Sequence, residues 1–220
     1  MNKIIKYGVI GSSGRLGNEV VKVFEEKGHK LVFQYDVDGE KKDDIPELLI
    51  DCSLPEVFPK TIAYASEFHS GLIIATTGLN DNQFNEIKNI SGKVPVVQSY
   101  NYSLGIQVML KLTEIANDKL KDWDVEITET HHRFKKDKPS GTAKMIKDKL
   151  NKTDVNISSL RLGNIAGDHT IRFGGLGEVL SITHSATSRR TFAEGILKSA
   201  EFILNKINGL YTFTDVVFQS

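Results

Sequence analysis

Residues 129–144 read ETHHRFKKDKPSGTAK, a mixture of side chains suited to moving protons beside a bound anion. His131 and His132 are adjacent, and Lys135, Lys136 and Lys138 crowd the stretch that follows. Imidazole titrates near neutrality, and a lysine ammonium can be tuned by its surroundings to release a proton. Pro139 fixes φ near the start of a predicted helix, which either Ser140 or Thr142 can cap. The outward-pointing amides of Ser140, Gly141 and Thr142 then form an anion cradle at the helix's positive end, and Gly141 leaves room for a ligand against the backbone. Taken alone, the stretch also fits a capped helix after a solvated basic loop. A His-His pair without a carboxylate or cysteine at ligand spacing is a poor metal cage, so no metal is expected.

The elements before this stretch follow an alternating pattern. Residues 4–10, IIKYGVI, make a β-branched run of strand length that ends in GSSGRLG. Residues 18–28 carry Val20, Val21, Val23 and Phe24 at roughly helical spacing, and KLVFQYD (30–36) is a second strand. In that context Gly11 permits a tight turn, Gly14 lets amides approach a pyrophosphate, and Gly17 lets the helix pack closely on the strand. The spacing is G-x-x-G-x-x-G, and Asp36 ends the second strand where an acid can accept hydrogen bonds from ribose hydroxyls. Strands at 48–53, 71–78 and 94–100 alternate with helices at 55–68 and 80–90, which predicts a parallel sheet with helices on both faces. The strand ends carry Ser53, Thr76, Thr77, Gly78 and Asn101, where a ligand of such a sheet lies.

After Leu104 the pattern changes. An amphipathic helix (105–120) precedes a strand (123–132), the basic stretch and a helix at 142–150. Strand-like runs at 158–163, 169–175 and 178–186 follow, and a strong helix at 191–207 precedes LYTFTDVV. Strands without intervening helices suggest an open sheet packed on one face by helices. Residues 1–104 and 191–220 are therefore expected to form a dinucleotide-binding domain, and 105–190 a second, α+β domain. An uncovered apolar face on the second sheet would call for pairing between copies.

Composition narrows the partners. The 220 residues carry 25% charged side chains that balance to a net charge of zero, which argues against nucleic acid. Cys52 is the only cysteine, so no disulfide framework or thiolate cluster forms. The short apolar run near the N-terminus is soon interrupted by the glycine loop, and no segment approaches a membrane span, so a cytoplasmic globular protein is expected.

The sequence resembles the 4-hydroxy-tetrahydrodipicolinate reductase (dihydrodipicolinate reductase) family of lysine and diaminopimelate synthesis. THHRFKKDKPSGTA matches every fixed position of H-H-x-x-K-x-D-x-P-S-G-T-A. GSSGRLG is similar to the family's glycine loop, DCSLPE, IATTG and SYNYSLG to its later strand ends, and residues 161–195 to its second-domain strands and returning helix. The resemblance implies a Rossmann-type domain, a mixed-sheet substrate domain, and a homotetramer built through the second sheet. It also implies His131 as the acid/base residue and Lys135 as the proton donor, with His132, Ser140, Gly141 and Thr142 holding substrate carboxylates. Cofactor contacts would fall at Gly11, Ser12, Gly14, Arg15, Leu16 and Gly17, at Ala75, Thr76 and Thr77, and at Ser99, Tyr100, Asn101 and Tyr102, with Arg189 and Phe192 at the domain link beside the cofactor. Ala75 stands where the family has glycine, Ser99-Tyr100 replace Ala-Pro, and the segment between the second and third strands is short.

The activity expected is reduction of a cyclic unsaturated dicarboxylate, with loss of water, by NADH and with NADPH also accepted. A related amino-acid-pathway dehydrogenase and a non-catalytic nicotinamide-sensing protein are the alternatives. The second has no need of paired histidines, a lysine and an anion cradle together.

Overall fold

The computed structural model describes residues 3–219. The elements run β1 (Lys6–Ile10), α1 (Arg15–Glu26), β2 (Lys30–Asp36), β3 (Gly39–Lys42), β4 (Leu48–Asp51), α2 (Phe58–Phe68), β5 (Gly71–Ile74), α3 (Asp81–Ser91) and β6 (Pro95–Gln98). They continue with α4 (Leu104–Lys119), β7 (Asp124–His131), α5 (Gly141–Asp148), β8 (Asn156–Arg161), β9 (Asp168–Gly174), β10 (Val179–Ser185), α6 (Arg190–Ile203), β11 (Gly209–Tyr211) and α7 (Phe213–Phe218). The chain divides into two compact units, Met1–Tyr102 with Arg189–Ser220, and Ser103–Ser188. The first division falls between Tyr102 and Ser103 because Tyr102 is buried in the first unit's core, whereas Ser103 caps α4 by accepting from the Ile106 amide.

The first unit is a seven-stranded sheet in the order β11-β6-β5-β4-β1-β2-β3. All neighbours pair in parallel except β2 and β3, which form an antiparallel hairpin. Strand alternation sends Tyr7, Val9, Leu48 and Ile50 toward α1 and α6, where they meet Val20, Phe24, Ala193 and Ile196. Ile10, Leu49, Leu72 and Ile74 face the other way, against Phe58 and Ala65 of α2 and Ile87 of α3. The strand order reverses at β1 and β4, so the carboxyl ends of these two strands flank the crevice where such sheets bind ligands. The expected parallel sheet thus gains an antiparallel edge. β3 has the sequence GEKK, is exposed throughout and follows no apolar alternation; its lysines suit an unpaired edge.

The second unit is a four-stranded sheet, β10-β9-β7-β8, antiparallel except for β7 beside β8. Ile182, Ile171, Ile127 and Ile157 stand opposite one another across the strands. This row meets Ile106, Met109 and Leu110 of α4 and Ala143 and Ile146 of α5. The neighbouring row, Thr183, Thr170 and Thr128, has the opposite parity and faces away from the helices. There Thr170 and Thr183 hydroxyls lie 3.1 Å apart, and Arg172 Nη1 donates to Thr128 Oγ1 at 3.4 Å. The uncovered face is therefore mostly polar, with Val179 and Leu160 as exposed aliphatic exceptions, because Ile171, Phe173 and Ile182 go to the helix-covered side.

Close backbone approach fixes α6 within the first unit: a Cβ on Gly195 would lie 1.8 Å from the Tyr102 carbonyl oxygen. Gly195→Ala should therefore force α6 outward and destabilise the first unit by about 1–3 kcal/mol, as overpacked cores do. Urea denaturation checks this, with exposed Lys198→Ala expected to leave the midpoint in place.

Candidate active site

The glycine loop sits at the carboxyl end of β1. The helix α1 starts after Gly14, which places no side-chain cap on it. The amides of Arg15, Leu16 and Gly17 precede the first intrahelical bond, Asn18 N–H to the Gly14 carbonyl at 2.9 Å, so they are donors the helix itself does not use. Gly17 is required by contact, since a Cβ there would lie 2.1 Å from the Gly11 carbonyl oxygen. An uncapped helix start behind a close-packed loop fits a pyrophosphate. Leu16 packs against the core and Arg15 is exposed. Half-buried Arg189 is lowered from the usual arginine range by burial and by the charge of Arg15, so two cations lie near one another at this end of the unit.

Asp36 is held by that same loop. Its carboxylate accepts from the Ser12 hydroxyl, and from the Ser13 amide and hydroxyl at 3.0 and 2.7 Å. Partial burial would raise the acid, but these bonds outweigh it and keep it below its ordinary value. At the end of β4, fully buried Asp51 accepts from the Ser53 amide and hydroxyl at 2.9 and 2.5 Å and from Thr76 Oγ1 at 2.8 Å. Burial raises its carboxyl above the usual range. Thr76 therefore turns its hydroxyl inward, Thr77 is exposed, and the Ala75 amide donates to the Asp51 carbonyl at 2.8 Å. Ser99 Oγ donates to the Asn101 carbonyl at 3.0 Å, and the buried Tyr102 hydroxyl donates to the Ile74 carbonyl at 2.8 Å. The Tyr102 side chain is thus a core residue, as is half-buried Phe192, while Tyr100 is exposed.

In the second unit, strand register assembles the basic stretch with residues far along the chain. Two residues beyond the isoleucine row, on the same face, stand His184, His169, Glu129 and Ser159, and then His131 opposite Arg161. Glu129 has 0% of its surface exposed. Its Oε2 lies 2.5 Å from His131 Nδ1, and Arg161 donates to both carboxylate oxygens at 2.9 and 2.8 Å. The Ser140 amide donates to Glu129 Oε1 at 3.3 Å, while Ser140 Oγ caps α5 by accepting from Ala143 N–H at 3.2 Å. Ser140 is thus the cap and Pro139 precedes it, and the Ser140 amide serves Glu129, leaving Gly141 and Thr142 as the first helical positions. Lys135 Nζ pairs with Asp137 Oδ1 at 2.7 Å, and His132 is half-buried on the opposite side of the strand end from buried His131.

Two family models cover the chain: the one described as dihydrodipicolinate reductase, N-terminus, matches residues 5–102, and the one described as dihydrodipicolinate reductase, C-terminus, matches 105–217. The chain belongs to the dihydrodipicolinate reductase family. It is 48% identical to a 4-hydroxy-tetrahydrodipicolinate reductase of Thermosipho africanus (strain TCF52B), over 97% of this chain and 98% of the relative. It is 33% identical to one of Caldanaerobacter subterraneus subsp. tengcongensis, again over 97% and 98%. Among solved structures, a dipicolinate-bound dihydrodipicolinate reductase from Paenisporosarcina sp. TG-14 matches with a TM-score of 0.74 at 21% identity, covering 96% of this chain and 98% of that one. A myo-inositol 2-dehydrogenase from Lactobacillus plantarum matches at 0.65 and 11% identity, over 98% and 94% of the chains. At these identities the structural likeness concerns the fold.

Electrostatics separates the ionisable groups of this member of the dihydrodipicolinate reductase family. Burial would raise Glu129, but bonds from Arg161, Ser159 and His131 hold it down at about 2. Burial lowers His131 below the ordinary histidine range, assisted by Lys135 and Arg161 and opposed by Glu129. His169, packed edge-on to His131 with ring centroids 5.1 Å apart, is lowered by burial and by His131 to about 3.

Reasoning along the sequence missed Glu129, Arg161, His169 and Asp51. Glu129 was within reach: residues two apart on a strand share a face, so a carboxylate does lie beside His131, contrary to the expectation of none nearby. Arg161 and His169 carry no local signal, because register alone brings them in. Among the described residues no three His, Cys, Asp or Glu side chains gather as a metal ion would require.

The depressed histidines set a pH dependence. Below about 6.5 the unfolded chain takes up imidazole protons that the folded chain refuses, so stability falls with pH down toward the folded His169 value. His169 alone should cost up to roughly 1.4 kcal/mol per pH unit in that window. Glu129 works at lower pH: its stabilisation is present above the usual glutamate value and is lost as pH falls toward about 2. The single tryptophan, Trp123, packs against the second unit's core, so its fluorescence should show the urea midpoint dropping from pH 7 to pH 5, and His169→Gln should flatten that slope.

Proposed function

We propose that this chain reduces 4-hydroxy-tetrahydrodipicolinate to tetrahydrodipicolinate, with loss of water, using a pyridine nucleotide in lysine and diaminopimelate synthesis. Family membership over nearly the whole chain carries this reading, and the intact residues 130–143 support it at the level of chemistry. The nicotinamide supplies a hydride when bound; the loop amides of Arg15, Leu16 and Gly17 would hold its pyrophosphate, with Arg15 and Arg189 nearby. Gly141 and Thr142, at the positive end of α5, would hold a substrate carboxylate together with His132. Ser140 serves by fixing that helix start.

The proton chemistry follows from the charge states. Lys135, paired as an ammonium with Asp137, has a proton to give to the atom that becomes basic when hydride arrives. His131 is neutral at rest because burial disfavours its cation, so it suits accepting a proton. His131→Ala and Lys135→Ala should each lower kcat by about 100- to 10,000-fold, the usual contribution of a positioned proton carrier. Thr142→Ala should raise KM for the dicarboxylate more than it lowers kcat, and all three variants should keep cofactor affinity. The assay follows reduced-cofactor absorbance while the preceding synthase generates substrate in place; near-normal kcat in both His131→Ala and Lys135→Ala, each fully folded, would defeat the reading.

Cofactor choice is proposed to favour NADH while admitting NADPH. Asp36 stays ionised at the end of β2, and ribose hydroxyls can replace exposed Ser13 on its carboxylate, whereas a 2′-phosphate meets like charge. Lys41 stands opposite Gln34, which donates to Ser12, so this cation shares the loop's side of the hairpin; Lys42 is engaged with Glu67 and the Phe68 ring. Asp36→Ala should shift the ratio of the two kcat/KM values toward NADPH by about tenfold, or roughly 1.4 kcal/mol. An unchanged ratio would mean that Asp36 does not read the ribose. A homotetramer in the cytoplasm completes the proposal; pairing through the second sheet would join faces that carry Thr128, Thr170 and Thr183 beside exposed Val179 and Leu160.

A further inference from the structure

The Glu129 carboxylate is buried at a place where neither strand pairing nor helix packing needs a charge. The apolar row beside it already joins the sheet to α4 and α5. Replacing an ion pair of this kind by apolar residues is often neutral for stability, so its presence asks for another reason.

Its contacts supply one. Being ionised, Glu129 can only accept, so the hydrogen in its 2.5 Å contact with His131 belongs to Nδ1, and Nε2 of the neutral ring is the nitrogen left with a lone pair. The same carboxylate accepts the Ser140 amide at 3.3 Å, which anchors the start of α5. Arg161 holds both carboxylate oxygens, and its Nη2 also donates to the Asp137 carbonyl at 2.6 Å. Asp137 in turn pairs its side chain with Lys135. Three pieces of the site therefore meet at one ion pair: the imidazole tautomer, the helix start that forms the anion cradle, and the loop that carries the ammonium.

We propose that the buried Glu129–Arg161 pair is the positioning element of the site, fixing His131 with Nε2 as its proton-exchanging atom while locking α5 and the Lys135 loop to the same anchor. Arg161 has a second effect. A carboxylate beside a cradle meant for dicarboxylates would repel them, and the bidentate guanidinium cancels that charge. This inference rests on the site assignment made above for His131 and Lys135.

The test separates the two. His131 is faced by Glu129 on its own strand, Arg161 on β8, His169 on β9 and Lys135 in the following loop. Because Glu129 raises His131, Glu129→Gln should move the His131 titration, followed by NMR of the imidazole, to lower pH. The same variant should lower kcat by about 10- to 100-fold, the scale expected when a reacting group is misplaced by about 1 Å. Arg161→Met should fall comparably and raise the dicarboxylate KM, Arg161→Lys should recover part of the loss, and cofactor Kd should stay within twofold throughout. If Glu129→Gln keeps kcat within twofold, or loses kcat with the His131 titration unmoved, Glu129 is a structural prop and the proposal is overturned. Should Glu129→Gln not fold, Arg161→Lys decides: normal kcat with normal KM overturns it. His131→Ala and Lys135→Ala run alongside, and their retaining activity would defeat the site assignment instead, since the NMR shift does not depend on turnover.

Discussion

A carboxylate with no exposed surface stays ionised only when fixed donors replace the water it has lost, and at Glu129 those donors come from separated parts of the chain. The fork of Arg161 requires β8 to lie parallel to β7 in one register; a slip by a single residue would send the guanidinium to the other face. The Ser140 bond requires α5 to begin where it does. The His131 bond requires the ring to lie on the helix side of the strand end. The geometry of the second unit around its chemistry is thus one connected set of hydrogen bonds, with the isoleucine row as the apolar support that sets its register.

The two units finish differently the helix starts that the proposed function assigns to anions. The first leaves the start of α1 without a side-chain cap, so backbone amides face the crevice at the β1 and β4 strand ends. The second caps α5 with Ser140 and ties that residue's amide to Glu129, so Gly141 and Thr142 are its first helical positions. Beneath the first site, Asp51 links the β4 and β5 turns through Ser53 and Thr76 and so shapes the crevice from below. Polar residues at the strand ends are structural in their side chains more often than their types suggest.

Architecture of this kind is shared with proteins as distant as a myo-inositol 2-dehydrogenase at 11% identity, so the fold says little about the reaction. The chemistry lies instead in the second unit's polar row, in which Arg161 keeps Glu129 ionised while burial disfavours the cations of His131 and His169. The fully conjoined motif at residues 130–143 would lose its meaning if that row were apolar.

Much of this protein is legible along the chain. β2 spans the KLVFQYD run that reads as a strand, α3 starts at the Asn80–Gln83 capping box, and the strand–helix alternation of the first unit follows from apolar period. β3 is not legible, since four exposed residues carry no period, whereas α7 has a local signal in the capping box of Thr212 and Asp215. His131 and Lys135 stand out because their chemistry is local: adjacent types in one motif need no fold to be recognised. Arg161, His169 and the burial of Glu129 do not, because they depend on which strand lies beside which and in what register. That choice is made by burying Ile127, Ile157, Ile171 and Ile182 together against α4 and α5, a condition on the whole sheet that no stretch of sequence states by itself.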